Sequence, residues 1–449
     1  TGSILKPFLY CAMLSSGEIL PYTLVPDIPT FFGGYYPQNF NMGNDGAVPA
    51  NRSLARSLNI PAVKMLQNFG IEKFHHVLKE IGLTTINQSP AHYGLSLILG
   101  GADGTLWDIC GAYASMARSV KSYTENSGQF LSTDYHSPYY LIKNSTNVPE
   151  FVDEQVFSAG SVWLTFQSML DVERPEDENK WQYFSSEQKI AWKTGTSFGF
   201  RDAWAIGLNT NFVVGVWVGN ADGEGRPDLV GIRSAAPVLF DVFKILPKPN
   251  QWFMPPFDDM ELVATCHESG FLPNQYCNNI DSVWVPKAGI QFDECPYHKL
   301  IHLDENEQFT VNDECYSPHK MKHKVWFVLP PAMEWYFKKR NANYKSIPPL
   351  KESCRPLHNE IQSMQIIYPA DLARIYIPIE IDGTEGRSIF EVAHRNDSSA
   401  VFWYLDEQYV GMTKNHHEMA LKPGKGLHTL TLIDDNGEIL IQNFEILSK

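Results

Sequence analysis

Residues 247–256 read PKPNQWFMPP, with four prolines in ten positions. Proline fixes its own φ and has no backbone N–H, so this stretch can sit inside neither a regular helix nor a central strand. It is a hinge, and the hydrophobic pattern differs on its two sides. Before it, a helical period gives way to strands near Lys189. After it comes a cysteine-bearing stretch of irregular period, then short alternating strands to the end. A chain of 449 residues with such changes of period cannot be organised around one core. The expected architecture is multi-domain. An α/β (α+β) domain covers 1–246, an irregular cysteine-rich linker region covers 247–355, and a β-sandwich covers 356–449.

Several segments carry this reading. GSILKPFLYCAML is an apolar helix stopped by SSG at Ser15–Gly17. IEKFHHVLKEIG places Ile71, Phe74, Leu78 and Ile81 on one helical face, with His75 and His76 on a solvated edge. GTLWDICGAYASMARSV reads as a buried helix. KIAWKTGTSFGF, DAWAIGLN and FVVGVWVGN read as strands, the last two joined by a turn at Asn209–Asn211. RSAAPVLFDVFKIL returns to helix. Beyond 356, RIYIPIEI, SIFEVAH, AVFWYLDEQYVG and LHTLTLIDDNGEILIQNFEIL alternate as strands, with a hairpin turn at Asp435–Asn436–Gly437 and Trp403 inside one of them.

Composition excludes some classes of function. A formal charge of −15 leaves no basic stripe to displace the counterions of a nucleic acid. No apolar run reaches the roughly 18 residues needed to span a bilayer. Cys11 and Cys110 lie in apolar surroundings and read as core residues. Cys266, Cys277, Cys295, Cys315 and Cys354 cluster in the linker region. Disulfides in an oxidising compartment are the first reading. Zinc is the rival, since CPYH supplies a Cys295-x-x-His298 pair, but no second tight ligand pair accompanies it.

Three short motifs bear chemistry. Ser3 and Lys6 stand one helical turn apart on one face. Pro7 prevents a regular helix from beginning much before Ser3, which places the hydroxyl at a helix mouth. The spacing alone means little, because Ser186/Lys189 and Ser317/Lys320 repeat it. Ser57 and Asn59 form a Ser-x-Asn in RSLNIPAV, where Pro61 pushes Ile60 out of helix and makes a helix–helix corner. Ser145 and Asn147 repeat that pattern in a loop. Lys193-Thr194-Gly195-Thr196 occurs once, on a strand. Gly195 lets a substrate backbone lie against that strand, and Lys193 offers a cation for a carboxylate. Thr194 and Thr196 add hydroxyls, and the Thr196 N–H can polarise a carbonyl.

These motifs, in this order, resemble those of the penicillin-recognising serine transpeptidases. TGSILKPFLY, YYPQNF at Tyr35–Phe40, SLNIPAVKML and KTGTSFGFRDAWAIG are similar to class A penicillin-binding proteins, and most to the 1C type. The likeness is strong over residues 1 to about 246, loose across the cysteine-rich region, and resumes in 356–449. There the chain is similar to that type's carboxy-terminal domain, an Ig-like β-sandwich. The resemblance implies a serine transpeptidase/β-lactamase-like fold for the first domain. It also implies that the chain is a fragment of a longer bifunctional glycosyltransferase/transpeptidase, anchored on the periplasmic side of the bacterial inner membrane by an N-terminal segment not included here. Such a fragment is expected to be poorly active.

What the resemblance implies for the site is specific. Ser3 attacks a D-Ala–D-Ala carbonyl of a peptidoglycan stem peptide, with Lys6 as base. Ser57 relays a proton, Asn59 orients Lys6 and the substrate amide, and Lys193 and Thr196 hold the terminal carboxylate. The N–H groups of Ser3 and Thr196 make the oxyanion hole. Thr194 and Gly195 line the donor. An amine of a second stem peptide takes the acyl group, or water does in a carboxypeptidase side reaction, and β-lactams inhibit. No cofactor and no metal is implied at this site. The alternative from another class is a non-catalytic cell-wall binding module, in which the sandwich recruits cell-wall proteins and the first domain is inert. A β-lactamase-like hydrolase is weaker, because no motif supplies a deacylating water.

Overall fold

The computed structural model describes residues 1–32, 35–141, 149–173, 188–354, 361–377 and 386–447. Ser145, Asn147 and Ser186, three of the residues that repeat a motif by chance, lie outside the described residues. The chain divides into two compact units. The first comprises Thr1–Val25, Pro49–Leu272 and Ile280–Glu294, and the second Pro26–Val48, Pro273–Asn279 and Cys295–Lys449.

The first unit is built on the apolar helix Lys6–Ser15, preceded by a 3-10 turn over Gly2–Leu5. Phe8, Leu9, Cys11 and Leu14 of that helix are fully buried or nearly so. Burying each large side chain stabilises by roughly 1.5–3 kcal/mol. Helix Leu106–Glu125 crosses it, with the Phe8 and Tyr113 rings 4.6 Å apart. Thr105 caps that helix by accepting the Asp108 N–H at 3.0 Å.

Strands Ala191–Thr196, Asp202–Leu208 and Val213–Gly219 form an antiparallel sheet in that order. Side chains alternate across it. Trp192, Ala203 and Ala205 pack with Leu239, Phe240 and Phe243 of helix Ala236–Ile245 on one face. Lys193 therefore points to the other face.

Two local expectations change. Ile60 is helical, because helix Asn59–Phe69 begins before it. Pro61 falls in the first turn, where its missing N–H has no intrahelical partner to lose. The corner itself is present, between helix Ala50–Ala55 and Asn59. His75 is no solvated edge. It is buried, with Nε2 2.9 Å from the Gln88 carbonyl oxygen, while His76 is exposed beside Glu80.

The cysteine-rich stretch is more regular than its pattern. It contains hairpins of Met260–Cys266 with Ile280–Pro286 and of His298–Leu303 with Lys322–Phe327, then helix Pro331–Arg340. A disulfide joins Cys315 to Cys354, and Cys266, Cys277 and Cys295 take part in none. Lys320 is exposed near Glu305, as a chance repeat of the Ser-x-x-Lys spacing should be.

In the second unit, a three-stranded and a five-stranded sheet close over one core. Met364, Phe390 and Val392 come from the first sheet, and Trp403, Leu430, Leu432 and Phe444 from the second. AVFWYLDEQYVG is two strands rather than one, Ala400–Leu405 and Gln408–Lys414. Asp406 and Glu407 turn between them, both at positive φ. Strands Met364–Tyr368 and His417–Leu421 were not apparent in the sequence pattern.

Candidate functional site

All eight residues singled out by motif lie in the first unit. Ser3 is half-buried in the 3-10 turn, and Lys6 is the first residue of the helix that follows. The carbonyl of Ile4 in the same turn accepts the Tyr113 hydroxyl at 2.8 Å, which ties the turn to the buried helix behind it.

The Lys193 strand lies directly against this turn. A Cβ on Gly2 would stand 2.5 Å from the Thr196 nitrogen, and one on Gly195 would stand 2.8 Å from Ile4 Cγ1. Real Cβ atoms never come so close, so both positions require glycine for the approach. Gly100 closes the other side, where a Cβ would be 2.5 Å from the Gly2 nitrogen. Thr196 is fixed from beyond the strand, its Oγ1 accepting the Gly231 N–H at 3.1 Å.

A network of short hydrogen bonds joins the three motifs. Lys6 Nζ donates to Asn59 Oδ1 at 2.7 Å and to the carbonyl oxygens of Ser57 and Leu58 at 2.8 and 2.9 Å. Lys193 Nζ donates to Ser57 Oγ at 2.6 Å and to the Thr194 carbonyl at 2.9 Å. Ser57 thus serves both lysines, one through its carbonyl and one through its hydroxyl. It does so at a φ of 56°, an uncommon conformation for a residue with a side chain.

The Lys6 backbone N–H donates to the Ser3 carbonyl, but among the described residues no hydrogen bond joins the Ser3 hydroxyl to the Lys6 amine, although the motif spacing predicts one. The Lys6 amine is instead engaged by three acceptors of the Ser57–Asn59 corner, all within 2.9 Å of Nζ.

Both amines are out of water. Lys6 is 3% exposed and Lys193 0%. Burial pulls the Lys6 ammonium well below its usual range, and the nearby positive Lys193 adds to that. Burial alone pushes Lys193 down to about 7. A lysine that can be neutral near neutral pH can accept a proton from a hydroxyl. One that is still partly charged can receive a carboxylate. The arrangement therefore brings two desolvated amines, an amide and a hydroxyl together beside the Ser3 turn.

Sequence reasoning missed the main-chain acceptors of Ser57 and Leu58, Tyr113, and the close packing at Gly2 and Gly100. Backbone acceptors leave no residue-type signal. The run LGGADG at 99–104 did carry one for Gly100.

Fold and site together define a class, an α/β domain whose helix-borne serine and lysine lie beside an edge strand bearing Lys-Thr-Gly-Thr. Comparison with known proteins gives the family. Residues 1–232 match the penicillin binding protein transpeptidase domain. Residues 355–444 match the penicillin-binding protein C-terminus family. The chain belongs to the penicillin-binding protein transpeptidase family.

Penicillin-binding protein 1C of Escherichia coli is 28% identical over 479 residues, which covers 99% of this chain and 56% of that protein. Penicillin-binding protein 1A of Aquifex aeolicus is 26% identical over 301 residues, 63% of this chain and 38% of that one. The chain thus spans about half the length of the curated relatives it matches. Among solved structures, penicillin-binding protein 1A from Haemophilus influenzae overlays 64% of this chain and 47% of its own, at 21% identity and a TM-score of 0.48. No described helix is long and apolar enough to cross a membrane.

Proposed function

We propose that the first unit is a peptidoglycan D,D-transpeptidase acting through an ester on Ser3. The observation that carries this reading is the hydrogen-bonded chain Lys6–Asn59 and Lys193–Ser57, which links all three motifs around two desolvated amines. Neutral Lys6 takes the Ser3 hydroxyl proton as Oγ attacks the carbonyl carbon of the penultimate D-Ala. The N–H groups of Ser3 and Thr196 stabilise the oxyanion. The C–N bond then breaks. The proton passes from Lys6 through the Ser57 hydroxyl to the departing D-Ala amine. Charged Lys193 and the Thr196 hydroxyl hold the terminal carboxylate, while the donor backbone runs along Thr194 and Gly195. An amine of a second stem peptide attacks the Ser3 ester, forms the cross-link and returns a proton to Oγ. Water in place of the amine gives carboxypeptidase activity. β-Lactams acylate Ser3 and stall there. The natural setting is the periplasmic side of the inner membrane, where stem peptides meet.

Covalent labelling by a fluorescent penicillin, with the modified peptide located by mass spectrometry, tests the reading. The label is expected on the peptide holding Ser3, and Ser3→Ala is expected to abolish it. A folded chain that takes no label, or takes it elsewhere, overturns the assignment in favour of a non-catalytic module.

A further inference from the structure

The transpeptidase reading leaves one cluster of reactive side chains unused, in the second unit. Cys277, Cys295 and His298 are all buried, and their donor atoms lie within 4.8 Å of one another. His298 Nδ1 stands 3.5 Å from Cys277 Sγ and 3.5 Å from Cys295 Sγ. Zinc bonds of about 2.3 Å to sulfur and about 2.0–2.1 Å to nitrogen, at tetrahedral angles, put the two donors about 3.5 Å apart. The distances match without adjustment. A disulfide between the two cysteines would have no use for an imidazole set at the same distance from each sulfur.

The surrounding backbone holds these donors in place. Asn274 Nδ2 donates to the carbonyl oxygens of Cys295 at 2.7 Å and His298 at 3.0 Å, and its Oδ1 accepts the Tyr276 N–H at 2.8 Å. One side chain thus clamps the Cys295–His298 turn and the loop carrying Cys277. His298 opens the strand His298–Leu303 opposite Phe327, whose ring centroid lies 5.1 Å from the imidazole.

We infer that Cys277, Cys295 and His298 bind a zinc ion. Thiolate and imidazole donors select zinc over magnesium or calcium. Binding releases the thiol protons and couples the metal to folding of this segment.

The test uses the full chain. Zinc is measured in protein purified with its thiols reduced, and the metal-stripped chain is titrated with Co²⁺. One zinc per chain is expected, with sulfur-to-cobalt charge transfer and tetrahedral d–d absorption. Asn274→Ala is expected to weaken zinc by about 10- to 100-fold, as loss of an outer partner does. Cys295→Ser is expected to weaken it further. Should Cys295→Ser fail to fold, the cobalt spectrum of the unaltered chain decides alone. Octahedral, sulfur-free absorption overturns the site, as does the absence of stoichiometric metal. A Cys277–Cys295 disulfide in freshly isolated protein also overturns it.

Discussion

At the scale of single residues, the site turns on Ser57. Its hydroxyl accepts from Lys193 and its carbonyl from Lys6, so a side-chain deletion separates the two roles. Ser57→Ala removes the proposed relay and leaves the Lys6 acceptors in place. It is expected to slow penicillin acylation by about 10²–10⁴-fold, the usual range for a lost proton-transfer group, with little change in melting temperature. The two lysines also set a pH profile. In the proposed mechanism acylation needs Lys6 neutral, so the rate is expected to rise with pH as that ammonium loses its proton. In the same proposal capture of the β-lactam carboxylate needs Lys193 charged, so the second-order rate is expected to fall as pH passes about 7. The expected curve is a bell whose limbs belong to the coupled pair. In Lys193→Arg the charge persists to high pH. Stopped-flow acylation across pH should show the falling limb lost in that variant, and an unchanged limb assigns it to another group.

At the scale of elements, the site depends on how closely a strand can approach a turn. Gly195→Ala introduces a Cβ 2.4 Å from the Thr1 carbonyl oxygen and 2.8 Å from Ile4 Cγ1. The strand Ala191–Thr196 must then move away from the Ser3 turn. A displacement of about 1 Å costs on the order of 100-fold in rate. Acylation is therefore expected to drop by about that much while the sheet stays folded, which circular dichroism and labelling of the same sample can separate. Much of this level was legible in the sequence. Helix Ile71–Glu80 and the three-strand order followed from period and turn residues. The turn at Asp406–Glu407 did not, because no glycine or asparagine marks it and Glu407 is an uncommon residue at positive φ. Cross-strand pairing of Ala400–Leu405 with Gln408–Lys414 imposes it.

At the scale of the whole molecule, each unit has its own core and its own polar interior. The sandwich buries Trp403, whose indole N–H donates to Thr413 Oγ1 at 2.8 Å, and that oxygen lies 3.0 Å from His417 Nδ1. Burial, the neighbouring His394 and the adjacent His416 push His417 down to about 4, against the opposing pull of Asp397 and Asp435. His394 is itself paired with buried Asp434 at 3.3 Å. The folded pKa lies below the ordinary 6.5, so in that interval the unfolded chain binds a proton that the folded chain does not. Stability of the sandwich is therefore full above about 6.5, falls as pH drops through the interval, and levels off below about 4. Hydrogen exchange over 400–434 should quicken on acidification within that window. His417→Gln is expected to flatten the dependence, and an unchanged pH response in that variant assigns it elsewhere.

The sequence by itself determined the kinds of element, the class of fold and the three motifs, because these depend on local period, on proline and glycine, and on residue types at fixed spacing. Only the tertiary structure decided which atoms meet. Lys6 answers to the Ser57–Asn59 corner rather than to Ser3, since carbonyl oxygens of that corner come within reach of a buried amine. His75 turns inward to a carbonyl that no periodicity reveals. Of the five clustered cysteines, two form a disulfide and two stand around His298. Spacing along a chain counts candidate partners, but long-range folding alone sets the distances that choose among them.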